Sequence, residues 1–456
     1  MRRSNLLLRS SLVAALGGLL FGFDTAVISG TTGALERVFA LSKSGLGFTI
    51  ASALIGTIIG ALVAGFPADR LGRRAALFLI AGLYFVSAVG SALAGAWIPF
   101  LFFRFIGGLG VGAASVVSPM YIAEISPASR RGRMVALTQF NIVLGILLAF
   151  FSNYMVAHVV DAAHDWRWMF GVEALPAALF FVLLFLIPRS PRWLVMRKRE
   201  SEASKVLNAL GSDPSGVEKE IRVIRDTLEE QSGGEREKLL QRRYRVPIFL
   251  AVMIAVFNQL SGINAVMYYA PDIFRMAGAG DDAALLQAVA VGGINLVFTL
   301  LAMRIIDRFG RRRLMLVGSI GYIISLGSTA LAFNLNGEGF TTAGGIWVLA
   351  SILVFIASHA FGQGAVIWVF ISEIFPNRVR ARGQALGSFT HWFMAALVSW
   401  TFPVIAQASG GHVFTFYAVM MVLQLWWVIF RMPETRGVPL EEIQKTWESK
   451  VRKLES

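Results

Sequence analysis

The sequence contains no cysteine, which excludes disulfides and every mechanism that needs a thiolate. It is also poor in charge. Asp, Glu, Lys and Arg make up 15% of it, where a soluble domain carries about 25%. Its five histidines show no metal-ligand spacing. No nucleophile–base set and no phosphate-binding loop stands out, so no enzyme chemistry, metal or cofactor is implied. What remains is apolar: 56% hydrophobic residues and a mean hydropathy of +0.64. A soluble domain cannot hide that much apolar surface, so the solvent is lipid.

Hydropathy predicts twelve spans, at 9–31, 46–67, 75–96, 98–122, 133–156 and 167–187, then 247–271, 284–306, 313–334, 343–371, 383–406 and 413–432. The fold class expected is an all-α membrane protein of two six-helix halves. Its parts are 1–187, a cytoplasmic helical linker 188–246, 247–432 and a tail 433–456. Met1-Arg2-Arg3 before an apolar run resembles a signal peptide, but the run passes Asp24 with no small-x-small cleavage site. The linker mixes 14 basic with 10 acidic residues, and Gly211–Gly216 and Ser232-Gly233-Gly234 read as breaks in it.

The net charge of +14 is a topology signal. Of 42 Lys and Arg, 37 fall in loops on the side of the termini and four (Arg37, Lys43, Arg167, Arg275) on the other; Arg104 lies within a span. By the positive-inside rule both termini are cytoplasmic, and no nucleic-acid partner is implied.

The chain repeats itself. Asp69-Arg70-Leu71-Gly72-Arg73-Arg74 recurs as Asp307-Arg308-Phe309-Gly310-Arg311-Arg312. Glu124-Ile125-Ser126-Pro127 recurs as Glu373-Ile374-Phe375-Pro376, and Pro188-Arg189-Ser190 as Pro433-Glu434-Thr435. Each motif follows the second, fourth or sixth span of its half. Two parallel six-span repeats are the logic of a transporter with its site at the half–half interface.

Three charges lie well inside the N-terminal spans: Asp24, Arg104 and Glu173. An ionised Asp at mid-membrane costs roughly 2.5–3.5 kcal/mol on insertion scales. Arg104 is therefore expected to pair with Asp24, with Glu173 near enough to tune the pair. Gly107–Gly112, GGLGVG, mimics a dinucleotide fingerprint, but it lies within a span and reads as close helix packing.

The repeated loops, together with Pro119-Met120-Tyr121-Ile122-Ala123-Glu124, Gln259…Gly262-Ile263-Asn264, Tyr268-Tyr269-Ala270-Pro271 and Pro433-Glu434-Thr435-Arg436-Gly437, resemble the sugar porter family of the major facilitator superfamily over about 8–445. The resemblance is nearest to bacterial xylose–proton symporters and further from animal glucose facilitators. It implies a monosaccharide carrier in the inner membrane, with a sugar and a proton as partners and a lipid bilayer around it; a monomer is the expected working unit, since the site would be complete within one chain. Proton-coupled members carry Asp at the Asp24 position. The resemblance places Gln139, Gln259, Asn264, Asn295, Trp368 and Trp392 at the sugar. Amides that donate and accept, beside an aromatic platform, suit hydroxyls on a ring with apolar faces. Gln259 and Asn264 are five residues apart and converge only if the helix breaks near Gly262. His391, beside Trp392, contacts substrate or serves packing.

By the same resemblance Tyr268 and Tyr269 gate the outer side; an interfacial aromatic belt is the plain alternative. The resemblance also implies a cytoplasmic latch, made of Asp69, Glu124 and Arg73, Arg74, Arg131 in one half and of Asp307, Glu373, Glu434 and Arg311, Arg312, Arg380 in the other. Four departures stand out: Arg189 where the family has Glu, Asn258 for a first Gln, Ile146 for a fifth-span Gln, and Gln363-Gly364-Ala365 for Trp-Gly-Pro. They leave the substrate open and rewire the N-half latch. The expected mechanism is proton-coupled alternating access. The alternatives are an uncoupled facilitator, a membrane sugar sensor, which the short tail disfavours, and a carrier of a non-sugar solute.

Overall fold

A computed structural model describes residues 2–127, 129–211, 216–233, 239–337, 339–376 and 378–436, with the side chains of 2–5, 229–233 and 307 excepted. The described residues form helices and no strand. Twelve helices are long and apolar enough to cross a membrane: Leu6–Gly30, Lys43–Val63, Arg73–Leu93, Trp97–Ile125, Arg131–Val159, Asp165–Leu186, Arg242–Met276, Asp281–Ile306, Arg311–Asn336, Thr342–Ile374, Arg380–Ala408 and Gly410–Phe430. They are called spans one to twelve. Each sits within about five residues of its hydropathy peak. Helices are the solution because a span must satisfy every backbone N–H and C=O within itself. Wide apolar faces stay exposed, among them Leu62, Phe102 and Phe185.

The chain divides into two compact units. The first comprises 1–27, 55–152 and 164–235. Its core joins spans one, three, four and six through Leu20, Leu77, Val117 and Phe180. Three linker helices, Pro191–Met196, Glu200–Leu210 and Val217–Gly233, bury a small core of their own around Trp193, Leu207 and Ile221. Ser190 caps the first of them by accepting from Trp193 N, with Pro191 in the first turn. Of the two expected linker breaks, Gly211 ends a helix in the left-handed region, and 212–215 and 234 lie outside the described residues.

The second unit comprises 28–54, 153–163 and 236–456. Two of its spans are broken. Span seven stops at Leu260 and restarts at Ile263, and Gly262 between them has φ +82°. That φ is natural only for glycine, and a Cβ there would lie 2.5 Å from the Tyr417 ring. Span ten breaks at Gly362, where φ is −92° and ψ −99°. Hydropathy did not reveal this second break.

Candidate functional site

The charged residues of the first unit converge. Arg104 Nη1 donates to Asp24 Oδ1 at 2.6 Å, and Nη2 reaches Oδ2 and the Asp24 carbonyl oxygen, each at 3.3 Å. Both residues are 2% exposed. The guanidinium also lies 5.3 Å from the centre of the Phe170 ring, a cation–π contact. Glu173 is buried at the junction of two helical pieces of span six. It is within electrostatic reach of both Asp24 and Arg104. Its two carboxyl oxygens and Arg104 Nε have no hydrogen-bond partner among the described residues. One cation thus serves two carboxyls and bonds only one.

In the second unit, the break of span seven gathers amides. Asn264 Nδ2 donates to Gln259 Oε1 at 2.9 Å, and Gln259 Nε2 donates to Asn258 Oδ1 at 2.9 Å. The convergence of Gln259 and Asn264 is the consequence of the turn at Gly262. Gln259 Nε2 also lies 3.3 Å from both ring nitrogens of His391. Equal distances to two atoms about 2.2 Å apart put the amide over the ring face, since an in-plane approach would clash with the carbon between them. The imidazole sits 4.9 Å, centre to centre, from both Trp368 and Trp392. Sequence reasoning left His391 undecided; its neighbour Trp392 was the available signal. Asn295 is buried and bonded within its own span by Thr299. Gln139 is half-buried on span five, in the first unit.

Tyr268 and Tyr269 are 4% and 1% exposed. That burial does not fit a belt facing lipid headgroups. Tyr269, at a kink in the helix, donates its hydroxyl to the Ser399 carbonyl oxygen at 2.9 Å and packs 5.0 Å from Phe402. Within the same unit the start of span two rests on span eleven. Phe48 lies 5.3 Å from the Trp400 ring, and Ser44 accepts from Trp400 Nε1.

The repeated loops build one arrangement twice. Arg73 contacts Glu124 at 2.9 Å and Asp69 at 2.9 Å, and Arg311 contacts Glu373 at 2.8 Å. Ser190 Oγ donates to Glu124 at 2.5 Å, and Thr435 Oγ1 to Glu373 at 2.6 Å. Four arginines expected on acids go elsewhere. Arg74 donates to the carbonyls of Leu184 and Phe185, and Arg312 to those of Val428 and Ile429. Arg131 and Arg380 donate to Ala123 and Phe375 carbonyls. The physical reason is that the last carbonyls of a helix lack intrahelical donors. Glu434 accepts from the backbone N–H groups of Arg311 and Arg312, capping span nine. A Cβ on Gly310 would lie 2.5 Å from that carboxylate, and its φ of +85° is glycine's own. The N-terminal copy has Arg189 instead, 4.0 Å from Glu202 of the linker. The Asp307 side chain lies outside the described residues.

Buried polar groups inside apolar helices are expensive, and they persist where a membrane protein passes ions or polar solutes. The class is therefore a multi-pass membrane transporter. A sequence profile described as "Sugar (and other) transporter" matches residues 10–447. The chain belongs to the sugar porter family of the major facilitator superfamily. It is 41% identical to the D-xylose-proton symporter of Escherichia coli, over 98% of this chain and 96% of that one. It is 35% identical to the glucose facilitated diffusion protein of Zymomonas mobilis, over 97% and 98%. Among solved structures, it matches the xylose transporter of Escherichia coli in a partially occluded inward-open conformation. The TM-score is 0.84 at 39% identity, covering 96% of this chain and all of that one.

Proposed function

We propose that this chain is a proton-coupled monosaccharide symporter, a monomer in the inner membrane with both termini in the cytoplasm. The observation that carries the coupling is the buried Asp24–Arg104 pair with Glu173 beside it. Protonation of Asp24 weakens its hold on Arg104 and lets the carrier change state; deprotonation on the other side resets it. The sugar is held by Gln259, Asn264, His391 and the two tryptophans of the second unit, with Asn295 as a further contact. Tyr268 and Tyr269 close the outer side. The Arg73–Glu124 and Arg311–Glu373 pairs latch the cytoplasmic side. The distribution of Lys and Arg supports the orientation of the termini.

An uncoupled facilitator is the second reading, supported by the identity with the Zymomonas mobilis protein. Uptake into proteoliposomes separates the two. A symporter accumulates sugar against its gradient when a proton gradient is imposed, and a facilitator only equilibrates it. Competition by D-xylose, D-glucose, D-galactose and L-arabinose against a labelled sugar identifies the substrate. Failure of every monosaccharide to compete would remove the sugar reading.

A further inference from the structure

Span three presents hydroxyls that the site described above does not use. Tyr84, Ser87 and Ser91 recur at intervals of three and four residues, so they share one face of the helix. Each is at most 1% exposed, and none of the three hydroxyls has a hydrogen-bond partner among the described residues. A serine in an apolar helix commonly turns back on a carbonyl of its own helix, as Ser115 does on Gly112 and Ser325 on Gly321. Ser87 and Ser91 make no such bond.

What they face follows from how spans three and four pack. The two run antiparallel with glycines at the contact. A Cβ on Gly110 would lie 3.6 Å from the Tyr84 ring, one on Gly107 would strike Ser87 Oγ, and one on Gly90 would strike the Phe103 ring. That register sets Ser91 close to the level of Arg104. Asp24 enters at the same place, because the Gly107 Cβ would also lie 3.1 Å from Asp24 Oδ1. Ser87 Oγ and the carboxylate thus face one point on span four. Span six closes the far side: Arg167 donates to the Ala92 and Ala94 carbonyls at 2.7 and 2.9 Å, and Glu173 follows on the same span. The three hydroxyls, Arg104 Nε and both Glu173 oxygens are all buried without a protein partner. Left so, each would cost about 1–3 kcal/mol. Ordered water is the usual remedy, and it needs two to four polar partners. Ser87 and Ser91 stand about 6 Å apart along the helix, the reach of one water bonded to both at about 2.8 Å.

We propose that Ser91 and Ser87 form an entry relay, a water-bearing face of span three that carries the proton from the outer side to Asp24. The proposal rests on the reading of Asp24 as the proton's site. With the termini in the cytoplasm, span three ends on the outer side at Leu93, two residues beyond Ser91. The hydroxyls hold and orient the water. Each water accepts one proton and passes another on. The outer solution loses one proton, the Asp24 carboxylate gains one, and the serines end as they began.

The test follows the proton in full-length protein in proteoliposomes. After an acid jump outside, time-resolved infrared spectroscopy reads the protonated carboxyl band that Asp24→Asn lacks. Ser87→Ala combined with Ser91→Ala is expected to slow the rise of that band by about ten-fold, the size of one buried hydrogen bond. Ser91→Thr keeps the hydroxyl and should stay within about two-fold of wild type. So should Ser118→Ala, which removes a buried, unbonded hydroxyl of span four eleven residues from Gly107. The serine variants should still reach the wild-type sugar plateau, because a relay sets a rate and not the proton-to-sugar stoichiometry. An unchanged rise in the double variant overturns the relay. Equal slowing by Ser118→Ala also overturns it, because the effect would then be a general loosening of the helices. A wild-type sugar plateau in Asp24→Asn would sink the coupling reading itself and the relay with it, a result that slow proton entry cannot mimic.

Discussion

Asp24→Asn tests the coupling most directly, and the structure sets its size. Arg104 gives Asp24 two hydrogen bonds to the carboxylate and one to the carbonyl oxygen. Removing one ion of a buried pair costs about 3–5 kcal/mol when the other is left uncompensated. Arg104 is not left so. Glu173 stands within electrostatic reach, and neither of its carboxyl oxygens is bonded. The loss in Asp24→Asn is therefore expected to fall below that range, at about 1–2 kcal/mol. Glu173→Gln alone breaks no hydrogen bond and should cost under about 1 kcal/mol. The double variant removes both possible partners and should lose the full range, more than the sum of the singles. Thermal unfolding in detergent, with all four proteins measured in parallel, reads this. Transport reads the function. At 100 mV one elementary charge supplies about 2.3 kcal/mol, and at 1.4 kcal/mol per decade that sustains roughly a fifty-fold sugar gradient. Wild-type vesicles should approach it; Asp24→Asn vesicles should equilibrate sugar at about one-fold while keeping counterflow. Undiminished accumulation in Asp24→Asn would refute the coupling role. A Glu173→Gln as damaging as Asp24→Asn, or a strictly additive double, would refute Glu173 as the reserve partner.

Arg189→Glu restores an acid where the C-terminal copy has Glu434. It should cap the Arg73 and Arg74 N–H groups and raise stability by about 0.5–2 kcal/mol, while a firmer latch slows turnover; lower stability on a thermal melt would contradict the quasi-symmetry. Glu434→Gln is the mirror test. It keeps an acceptor but loses the charge facing the start of span nine, so about 0.3–1 kcal/mol should go and turnover should rise. Gly262→Ala forces a left-handed residue, at about 1–2 kcal/mol, and drives a methyl into the Tyr417 ring. Sugar affinity should fall by more than ten-fold, and equal affinity by competition would show that the turn does not set the amides.

The spans were legible because twenty apolar residues in a row mean little else, and the two copies of the arginine loop gave the repeat. The break at Gly262 was legible because Gln259 and Asn264 cannot meet on an unbroken helix. The break at Gly362 was not, although Gly362-Gln363-Gly364 sits inside a span, because glycines there also serve packing. The resemblance put Arg74, Arg131, Arg312 and Arg380 on acids; the structure gives them helix-end carbonyls, whose demand for donors no motif displays. The placement of Ser87 beside Asp24 was invisible for a different reason. It is a single polar residue in an apolar run, and hydropathy does not say which face it occupies or which span it meets.

The division of chemistry between the two units carries a consequence for how transport is driven. Asp24 and Glu173, with Arg104, lie in the first unit, and the amide–imidazole–indole cluster lies in the second. A monosaccharide is neutral, so binding it does nothing electrostatic for a buried carboxylate. The proton and the sugar must then meet through a two-state element that both bias, because a ligand shifts an equilibrium only by its differential affinity for the two states. Moving such an equilibrium from 1:99 to 99:1 takes about 5.5 kcal/mol. Releasing the Asp24–Arg104 pair while Glu173 stays beside Arg104 is worth about 1–2 kcal/mol, a minor share of that requirement. The remainder, about 3.5–4.5 kcal/mol, calls for several well-placed hydroxyl–amide contacts at the sugar. A facilitator needs no such sum, since its two states may stay evenly poised with or without a proton. The buried pair thus supplies part of what coupling requires, and the sugar contacts must supply the rest.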